Sequence, residues 1–315
     1  MKAIKITEFG GPEVMQYLDV PEPTPKDGEV ILEVTGIGIN YADTHQTEDS
    51  YLSKQELPLI PGLEIVGTYE GKRYLAGAAN AYAQRVAVAK DQLIPIPDAI
   101  TDGQALATFV QGTTAWHLLK TIGHLAPGES VVIHAAAGGV GTIAIQLAKR
   151  WGAKVIAVAS TQAKRDLAIR LGADVAIDSA VEGLKERIIE ANGGKLVDLI
   201  LEMVGGKTFD RSLEALGTFG RIVTFGMASR EPMSMVHPAQ LMGRSQSISG
   251  FWLANCFADR KMMGDVIAEL FAMIAKGEIE VIVGATYPLS RAAEAHRSML
   301  ARESTGKIVL DPRFQ

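Results

Sequence analysis

Residues 131–160 read VVIHAAAGGVGTIAIQLAKRWGAKVIAVAS, and this stretch decides the fold. It combines an apolar β-branched run, a glycine-rich turn, a helix that begins near Gly139 and a second apolar run. That order is typical of a strand–turn–helix–strand unit. Because Gly138 and Gly141 lack Cβ atoms, backbone can approach a pyrophosphate and the helix can pack on the sheet. The helix N-terminus offers N–H groups to phosphates, so the stretch predicts a dinucleotide site.

The glycine motif departs from the common G-x-G-x-x-G pattern, because Ala136 takes the place of its first glycine. A glycine hexapeptide alone is weak evidence, and the alternative is a glycine-rich turn in an ordinary α/β core. The strand, helix and second strand stand in the required order, which favours a nucleotide site. The residues expected to contact the cofactor here are Ala137, Gly138, Gly139, Val140 and Gly141.

The 315-residue chain divides into two predicted domains. Residues 1–110 hold short β-type runs separated by turn signals, which predict a mostly β, barrel-like unit. In residues 111–276 strands alternate with helices, as in a parallel sheet with helices on both faces. Residues 277–315 are expected to return to the first domain. The fold class is therefore α/β: a doubly wound parallel (Rossmann) sheet domain plus the mostly β domain, with a ligand cleft expected between them.

Composition limits the classes of partner and location. The formal charge of −5 gives no basic field for nucleic acid. No run of about 18 apolar residues predicts a membrane span, and the first residues show no signal-peptide pattern. The single cysteine, Cys256, excludes an internal disulfide and a zinc site built mainly from thiolates. We therefore expect a cytoplasmic protein with a small-molecule partner and neither a nucleic-acid nor a membrane partner.

The end of the second predicted strand indicates which coenzyme is used. Sites that prefer NAD usually carry Asp or Glu there, to bind the ribose 2′-hydroxyl. Here the residue is Ser160, and no carboxylate follows before Asp166. The Ser160 hydroxyl with the cations of Lys164 and Arg165 would accept a 2′-phosphate, so we expect NADPH. The alternative is that Lys164 and Arg165 form only the solvated face of a helix.

Several separated motifs carry a family resemblance. They are MKAI and FGGPEV at the start, then GIGINYAD, PGLEIVG and QGTTAWHLL, the glycine motif, and STGKIVL near the end. In this order they resemble the zinc-free quinone oxidoreductases, relatives of zeta-crystallin, in the medium-chain dehydrogenase/reductase superfamily. The resemblance covers almost the whole chain and implies a GroES-like catalytic domain. Where zinc alcohol dehydrogenases of this superfamily place a ligand cysteine and histidine, this chain has Asn40 and Leu63, so no metal is expected.

The resemblance also implies roles for single residues. Asn40 lies where the family places a side chain near the nicotinamide and the substrate. Tyr51 matches a tyrosine that is a proposed proton donor in related enoyl reductases, and a phenol can protonate a developing enolate. The structural alternatives are a turn cap for Asn40 and a surface aromatic for Tyr51. Further positions implied to bind the cofactor are Thr114, Phe225, Gly226, Phe251, Arg302 and Lys307.

The predicted function is metal-independent reduction, with hydride passing from NADPH to a quinone or an α,β-unsaturated carbonyl compound. The protein would contribute proximity, orientation and exclusion of water. Two alternatives stay open: an enoyl-thioester reductase, and a low-turnover NADPH-binding protein with a structural or sensing role. Residues 247–251 are expected to form a strand that pairs across a two-fold axis, which would make a homodimer.

Overall fold

The computed structural model describes residues 1–314. Their contacts separate the chain into a first unit, residues 1–111 with 267–315, and a second unit, residues 112–266. The second boundary falls after residue 266 rather than after residue 276. The difference is the apolar helix Val266–Ala275, which belongs to the first unit except for its first residue.

Residues 1–111 are mostly β-structure, because their β-branched runs are broken by Gly and Pro turns. The strands are β1 (Lys2–Lys5), β2 (Gln16–Asp19), β3 (Glu29–Ile39), β4 (Glu64–Tyr69), β5 (Lys72–Gly77), β6 (Arg85–Ala89) and β7 (Ile94–Pro95). The α-helices are α1 (Tyr41–Glu48) and α2 (Asp102–Ala107). The long strand β3 is shared by several neighbours: its first half pairs with β6 and its second half with β4.

Residues 112–266 alternate strands with helices, as predicted. The helices are α3 (Thr113–His117), α4 (Gly139–Arg150), α5 (Gln162–Arg170), α6 (Leu184–Ala191), α7 (Gly206–Glu214) and α8 (Pro238–Met242). The strands are β8 (Ser130–Ile133), β9 (Lys154–Ala159), β10 (Val175–Asp178), β11 (Val197–Glu202), β12 (Leu216–Thr224) and β13 (Ser247–Gly250). All six strands are parallel, in the order β10-β9-β8-β11-β12-β13. This is the doubly wound Rossmann order, which confirms the predicted fold class.

The last part of the chain contains α9 (Val266–Ala275), β14 (Val283–Pro288), α10 (Ala292–Leu300) and β15 (Lys307–Asp311). Strand β15 runs antiparallel to β3 and parallel to β14. It thereby completes a seven-stranded sheet of the first unit, in the order β14-β15-β3-β4-β5-β7 with β6 also on β3. Each unit has its own apolar core, around Leu32, Ile65 and Tyr82 in the first and Ile156 and Ile200 in the second.

No helix within residues 1–314 is both long enough and apolar enough to cross a bilayer.

Candidate functional site

The loop between β8 and α4 lies at the carboxyl end of the parallel sheet. Helix α4 begins at Gly139, as predicted, and Gly138 is its N-cap residue. The turn before it is closed by a hydrogen bond from the Gly138 N–H to the Ala135 carbonyl (2.8 Å). Ala135 itself takes a left-handed conformation with φ of 49°. Because the first N–H groups of a helix lack acceptors within the helix, this loop presents donors and a positive dipole end to an anion.

The two glycines of this loop have different structural roles. A Cβ atom at Gly141 would lie 2.6 Å from the Ala135 carbonyl oxygen and 2.7 Å from the Ala136 carbonyl carbon. Only glycine therefore allows α4 to pack this closely on the loop. A Cβ atom at Gly138 would meet only the Ala135 oxygen, at 3.2 Å. Gly138 is therefore less crowded than Gly141, and the absence of a Cβ atom at Gly138 would let a phosphate approach the backbone.

Other strands end at the same edge of the sheet, because parallel strands share their direction. The predicted residues found there are Ser160 after β9, Phe225 and Gly226 after β12, and Phe251 after β13. The Phe251 N–H donates to the Thr224 carbonyl (2.9 Å), so its backbone is held one residue beyond β13. The structure thus brings these residues to one edge, and their contact with a cofactor stays a prediction.

A buried acid that the sequence did not reveal also ends a strand at this edge. The Glu202 carboxylate, at the end of β11, accepts the N–H groups of Val204 (2.8 Å) and Gly205 (3.1 Å). Burial raises the pKa of Glu202 to about 7. These hydrogen bonds fix the turn into α7, which is a structural role.

Thr114 and His117 lie on α3, which packs against α4. Both side chains are buried. His117 Nε2 lies 2.8 Å from the Met262 carbonyl, so this nitrogen carries the hydrogen, and Nδ1 accepts from the Thr121 hydroxyl (2.8 Å). Burial lowers the pKa of His117. The ring lies 5.9 Å from that of Phe251, so a neutral, fixed imidazole supports this aromatic side chain.

The two cations after β9 have different environments. Lys164 is half-buried, in the first turn of α5. The Arg165 side chain is only 18% exposed, and its Nη1 donates to the Ala159 carbonyl (3.0 Å) and to Asp178 (2.7 Å). The Arg165 guanidinium is already held in an ion pair, and its contact with a 2′-phosphate stays a prediction. The sequence did not reveal Asp178 as the partner of Arg165, although Asp178 ends the strand next to β9.

The first unit holds a buried cluster made of Asn40, Glu64 and Lys307. Asn40 follows β3, while Glu64 begins β4 and Lys307 begins β15. Because β4 and β15 run antiparallel to β3, these three positions meet at one end of the sheet. The Lys307 ammonium donates to Glu64, to the Asn40 side-chain oxygen (3.1 Å) and to the Ile39 carbonyl (3.2 Å). The Asn40 amide nitrogen donates to Glu64 (2.7 Å), so the amide is fixed on both sides.

Lys307 was predicted to bind the cofactor, and the structure corrects this prediction. The side chains of Lys307 and Glu64 are both 0% exposed. A buried ammonium that already has three acceptors presents no surface to a phosphate. The sequence feature that could have indicated this ion pair is Gly38. A Cβ atom at Gly38 would collide with the Glu64 carboxylate and the Lys307 side chain. The glycine therefore makes room for the ion pair. Asn40 is only 4% exposed, and its catalytic role stays a prediction.

A second set of buried polar groups adjoins Asn40. One oxygen of Asp43 accepts the Asn40 backbone N–H and the Tyr82 hydroxyl, both at 2.9 Å. The other oxygen is buried and has no hydrogen-bond partner among residues 1–314. Burial raises the pKa of Asp43 to about 7 and lowers that of His296 to about 3. The Tyr82 oxygen therefore accepts from the Nε2–H of a neutral His296 (2.9 Å).

Tyr51 lies in the loop that follows α1 and is partly buried. Its ring stacks on His45, with centroids 5.1 Å apart and an interplanar angle of 22°. Burial raises the pKa of Tyr51, so the phenol stays protonated at neutral pH. A donor role for Tyr51 stays a prediction. Arg302 follows α10 in a left-handed conformation (φ 58°) and is exposed, and its contact with a phosphate also stays a prediction.

The residues in place of the superfamily's zinc ligands do not fit a metal ion. The side chains of Asn40 and Leu63 are an amide and an isobutyl group, and neither is a usual zinc ligand. The Lys307 ammonium places a positive charge directly beside Asn40. In the part of the chain that the structure describes, no three His, Cys, Asp or Glu side chains form a group that could hold a metal.

Comparisons with known proteins agree with this architecture. Residues 139–273 match the family model described as zinc-binding dehydrogenase, and residues 26–73 match the alcohol dehydrogenase GroES-like domain. A quinone oxidoreductase of Pseudomonas aeruginosa is 33% identical, over 99% of both chains. The chain belongs to the quinone oxidoreductase family. Quinone oxidoreductase 1 of Escherichia coli is also 33% identical, over 98% of this chain and 99% of that protein. The resemblance and the GroES-like domain are thus confirmed.

Solved structures give the same result. The Escherichia coli quinone oxidoreductase complexed with NADPH has a TM-score of 0.92 and 34% identity, over 99% of this chain and 100% of that chain. The quinone oxidoreductase of Thermus thermophilus, described together with its NADPH complex, has a TM-score of 0.89 and 36% identity over the same shares. At these identities the relatives share the fold along the whole chain.

Proposed function

We propose that this protein is a metal-independent, NADPH-dependent reductase of quinones or α,β-unsaturated carbonyl compounds. The observation that carries the proposal is the carboxyl edge of the parallel sheet. There the N-terminus of α4, which can bind an anion, lies on the same edge as the end of β9, where exposed Ser160 stands in the place of the acid that NAD-binding sites usually carry. Membership of the quinone oxidoreductase family supports it, as do the relatives solved with NADPH.

The residues at this edge fit NADPH, which supplies a hydride from its nicotinamide when it is bound. The N–H groups of residues 139–141 would hold the pyrophosphate, next to Gly138, which has no Cβ atom to obstruct it. The Ser160 hydroxyl and the Lys164 ammonium would hold the 2′-phosphate, with no carboxylate at position 160 to repel it. The cofactor residues proposed for the nicotinamide half are Thr114, Phe225, Gly226 and Phe251, which would orient the ring and exclude water.

In the first unit, Asn40 and Tyr51 are the residues proposed to act on the acceptor. Glu64 takes one hydrogen of the Asn40 amide, so the other remains to bind an acceptor oxygen. Tyr51, which stays protonated, would deliver a proton to an enolate. A reduced quinone forms a stabilised phenolate, which water can protonate, so quinone reduction does not need Tyr51.

An acceptor screen tests the proposed activity. We expect mixtures with NADPH and 1,4-benzoquinone, or with 2-alkenals, to lose the absorbance of the reduced nicotinamide. Turnover of enoyl-thioesters alone would instead support the enoyl-thioester reductase. Tight NADPH binding without turnover of any acceptor would favour the structural or sensing protein.

The variant Ser160→Asp tests the position of the 2′-phosphate. A carboxylate at the end of β9 would repel the phosphate and accept a ribose hydroxyl, so we expect the affinity for NADPH to fall roughly tenfold. The affinity for NADH should hold or rise. Calorimetric titration with both coenzymes measures this, and an unchanged NADPH affinity would show that the phosphate lies elsewhere.

Tyr51→Phe separates the two classes of acceptor. We expect it to slow the reduction of 2-alkenals at least about tenfold, because the enolate loses its donor, and to leave 1,4-benzoquinone reduction within about twofold. Steady-state rates for both acceptors, measured on one preparation, provide the test. Equal effects on both acceptors would remove the donor role.

We also propose a homodimer and a cytoplasmic location. Strand β13 is the last strand of its sheet, so one edge is unpaired within residues 112–266. Exposed apolar side chains precede it, with Met235 97% and Met242 77% exposed, as at a subunit contact. Sedimentation velocity of the wild type and of Met242→Lys tests the dimer. The free, buried Cys256 suits a reducing cytoplasm, which cell fractionation tests.

A further inference from the structure

Arg165 and Asp178 form an ion pair directly beside the strand end proposed to receive the 2′-phosphate. The guanidinium Nη1 bridges the Asp178 carboxylate (2.7 Å) and the carbonyl of Ala159, the residue before Ser160 (3.0 Å). The second nitrogen, Nη2, donates to the Gln162 side chain (3.2 Å). Arg165 is therefore fastened to the backbone of β9 itself.

Asp178 is the more exposed partner of the pair, at 45% against 18% for Arg165. Its other oxygen accepts the Ala180 N–H (2.8 Å), which fixes the carboxylate at the end of β10, the strand next to β9. That hydrogen bond and the Arg165 guanidinium keep the pKa of Asp178 below its ordinary value, so the group is ionised at neutral pH. A negative charge thus lies one strand away from Ser160.

Asp178 pairs in register with Ala159, so its carboxylate would repel a 2′-phosphate at Ser160 unless it is neutralised. Position 160 carries no acid, but the neighbouring strand β10 ends with an acidic residue, Asp178. Unit charges separated by a few ångströms at a hydrated surface change binding severalfold. Arg165 pairs directly with the Asp178 carboxylate, whereas the nearby Arg187 donates to the Asp178 backbone carbonyl (3.2 Å); Asp178 in turn keeps the Arg165 guanidinium on the strand end.

We propose that the Arg165–Asp178 pair sets the coenzyme preference of this edge, with Arg165 acting as a positioning residue that masks Asp178. This inference rests on the proposed NADPH function. Removing the charge of Asp178 releases Arg165 toward the phosphate and raises the preference for the 2′-phosphorylated nucleotide. Removing Arg165 exposes the charge of Asp178 and lowers that preference. Removing both charges restores the neutral balance of the wild type.

The test measures the affinities for 2′,5′-ADP and 5′-AMP by calorimetry on the full chain, so no hydride transfer is needed. The ratio of the two dissociation constants cancels any general loss of folded protein. We expect Asp178→Asn, which keeps an acceptor for Ala180, to raise selectivity for 2′,5′-ADP about fivefold, and Arg165→Met to lower it about fivefold. The double variant should return to within about twofold of the wild type.

The matched control is a similar ion pair at the opposite edge of the same sheet. Asp174 pairs with Lys149 (2.5 Å) and accepts the Val155 N–H (2.8 Å) near the start of β9. Asp174→Asn changes the net charge as Asp178→Asn does, and we expect selectivity to stay unchanged. An equal rise in this control would mean that net charge alone acts, which overturns the proposal.

The outcomes separate this inference from the function on which it rests. If the wild type prefers 2′,5′-ADP but Asp178→Asn leaves the ratio unchanged, the inference is overturned and the NADPH function stands. A double variant as weakly selective as Arg165→Met also overturns it, because Arg165 would then be a direct phosphate ligand. If the wild type binds neither nucleotide, the proposed function fails and the inference fails with it.

Discussion

The lysine of the buried cluster formed by Asn40, Glu64 and Lys307 and the lysine at the strand end formed by Ser160 and Lys164 have different environments. In the buried cluster the side chains of Lys307 and Glu64 are 0% exposed, and the Lys307 ammonium donates its hydrogen bonds to groups of the protein. At the strand end Ser160 is exposed and Lys164 is half-buried. A lysine in the buried cluster therefore stabilises the fold, whereas one at the strand end can bind an anion. Burial, rather than residue type, separates the two roles.

The largest expected effect comes from Lys307→Met, which leaves Glu64 buried without its cation. We expect the free energy of unfolding to fall by about 3–5 kcal/mol, because an uncompensated buried charge is costly. Urea denaturation followed by circular dichroism measures it. The matched control is Lys164→Met, at a half-buried side chain, for which we expect a change within about 1 kcal/mol. Similar losses in both variants would erase the distinction between the two regions.

A pH series on Asp43→Asn sharpens the comparison, because Asp43 adjoins the buried cluster. Burial raises the pKa of Asp43 from 3.8 to about 7, so the folded state binds the proton more tightly than the unfolded state. The contribution of Asp43 to stability therefore falls as pH rises through this window. From about pH 5 to about pH 8, the wild type should lose roughly 3 kcal/mol relative to Asp43→Asn. Parallel stability curves for the two proteins would contradict this assignment.

Within the loop between β8 and α4, Gly141→Ala and Gly138→Ala provide a smaller contrast. A methyl group at Gly141 meets fixed backbone at 2.6 Å and 2.7 Å, so we expect a loss of about 1–3 kcal/mol in unfolding free energy. At Gly138 the nearest atom is 3.2 Å away, and the loss should stay below about 1 kcal/mol. Gly138→Ala should act mainly on NADPH affinity. Thermal unfolding and calorimetric titration of both variants distinguish packing from ligand access.

The smallest expected effect is that of Lys164→Met on coenzyme affinity. A half-buried cation at the protein surface is partly screened by water and salt, so NADPH should bind about three- to fivefold more weakly, with NADH unaffected. The difference should shrink in high salt. Equal losses for NADPH and NADH would place the contact away from the 2′-phosphate.

The sequence predicts those features that depend on nearby residues. The strand–turn–helix–strand pattern, the start of α4 at Gly139 and the need for glycine at Gly141 all arise within about 30 residues of chain. The doubly wound order follows from the alternation of strands and helices. The local pattern therefore suffices to predict the Rossmann unit and the conformation of the loop between β8 and α4.

Local sequence patterns do not predict ion pairs between residues that are distant in the chain. Lys307 and Glu64 lie 243 positions apart, so nothing in the local pattern shows that each neutralises the other. The same holds for the Tyr82–His296 hydrogen bond, across 214 positions. For Arg165 the charge was recognised but its partner Asp178 was not. In each case the missing information was the tertiary packing that selects the partner of a charge or of a buried polar group.

The division of the chain into two units also separates its chromophores. The three tryptophans, Trp116, Trp151 and Trp252, all belong to residues 112–266. The seven tyrosines all belong to the other unit: Tyr17, Tyr41, Tyr51, Tyr69, Tyr74, Tyr82 and Tyr287. Indole emission therefore follows the melting of one unit, and second-derivative tyrosine absorbance follows the other, without any added label. Coincident midpoints would indicate a single cooperative transition, and distinct midpoints would indicate two.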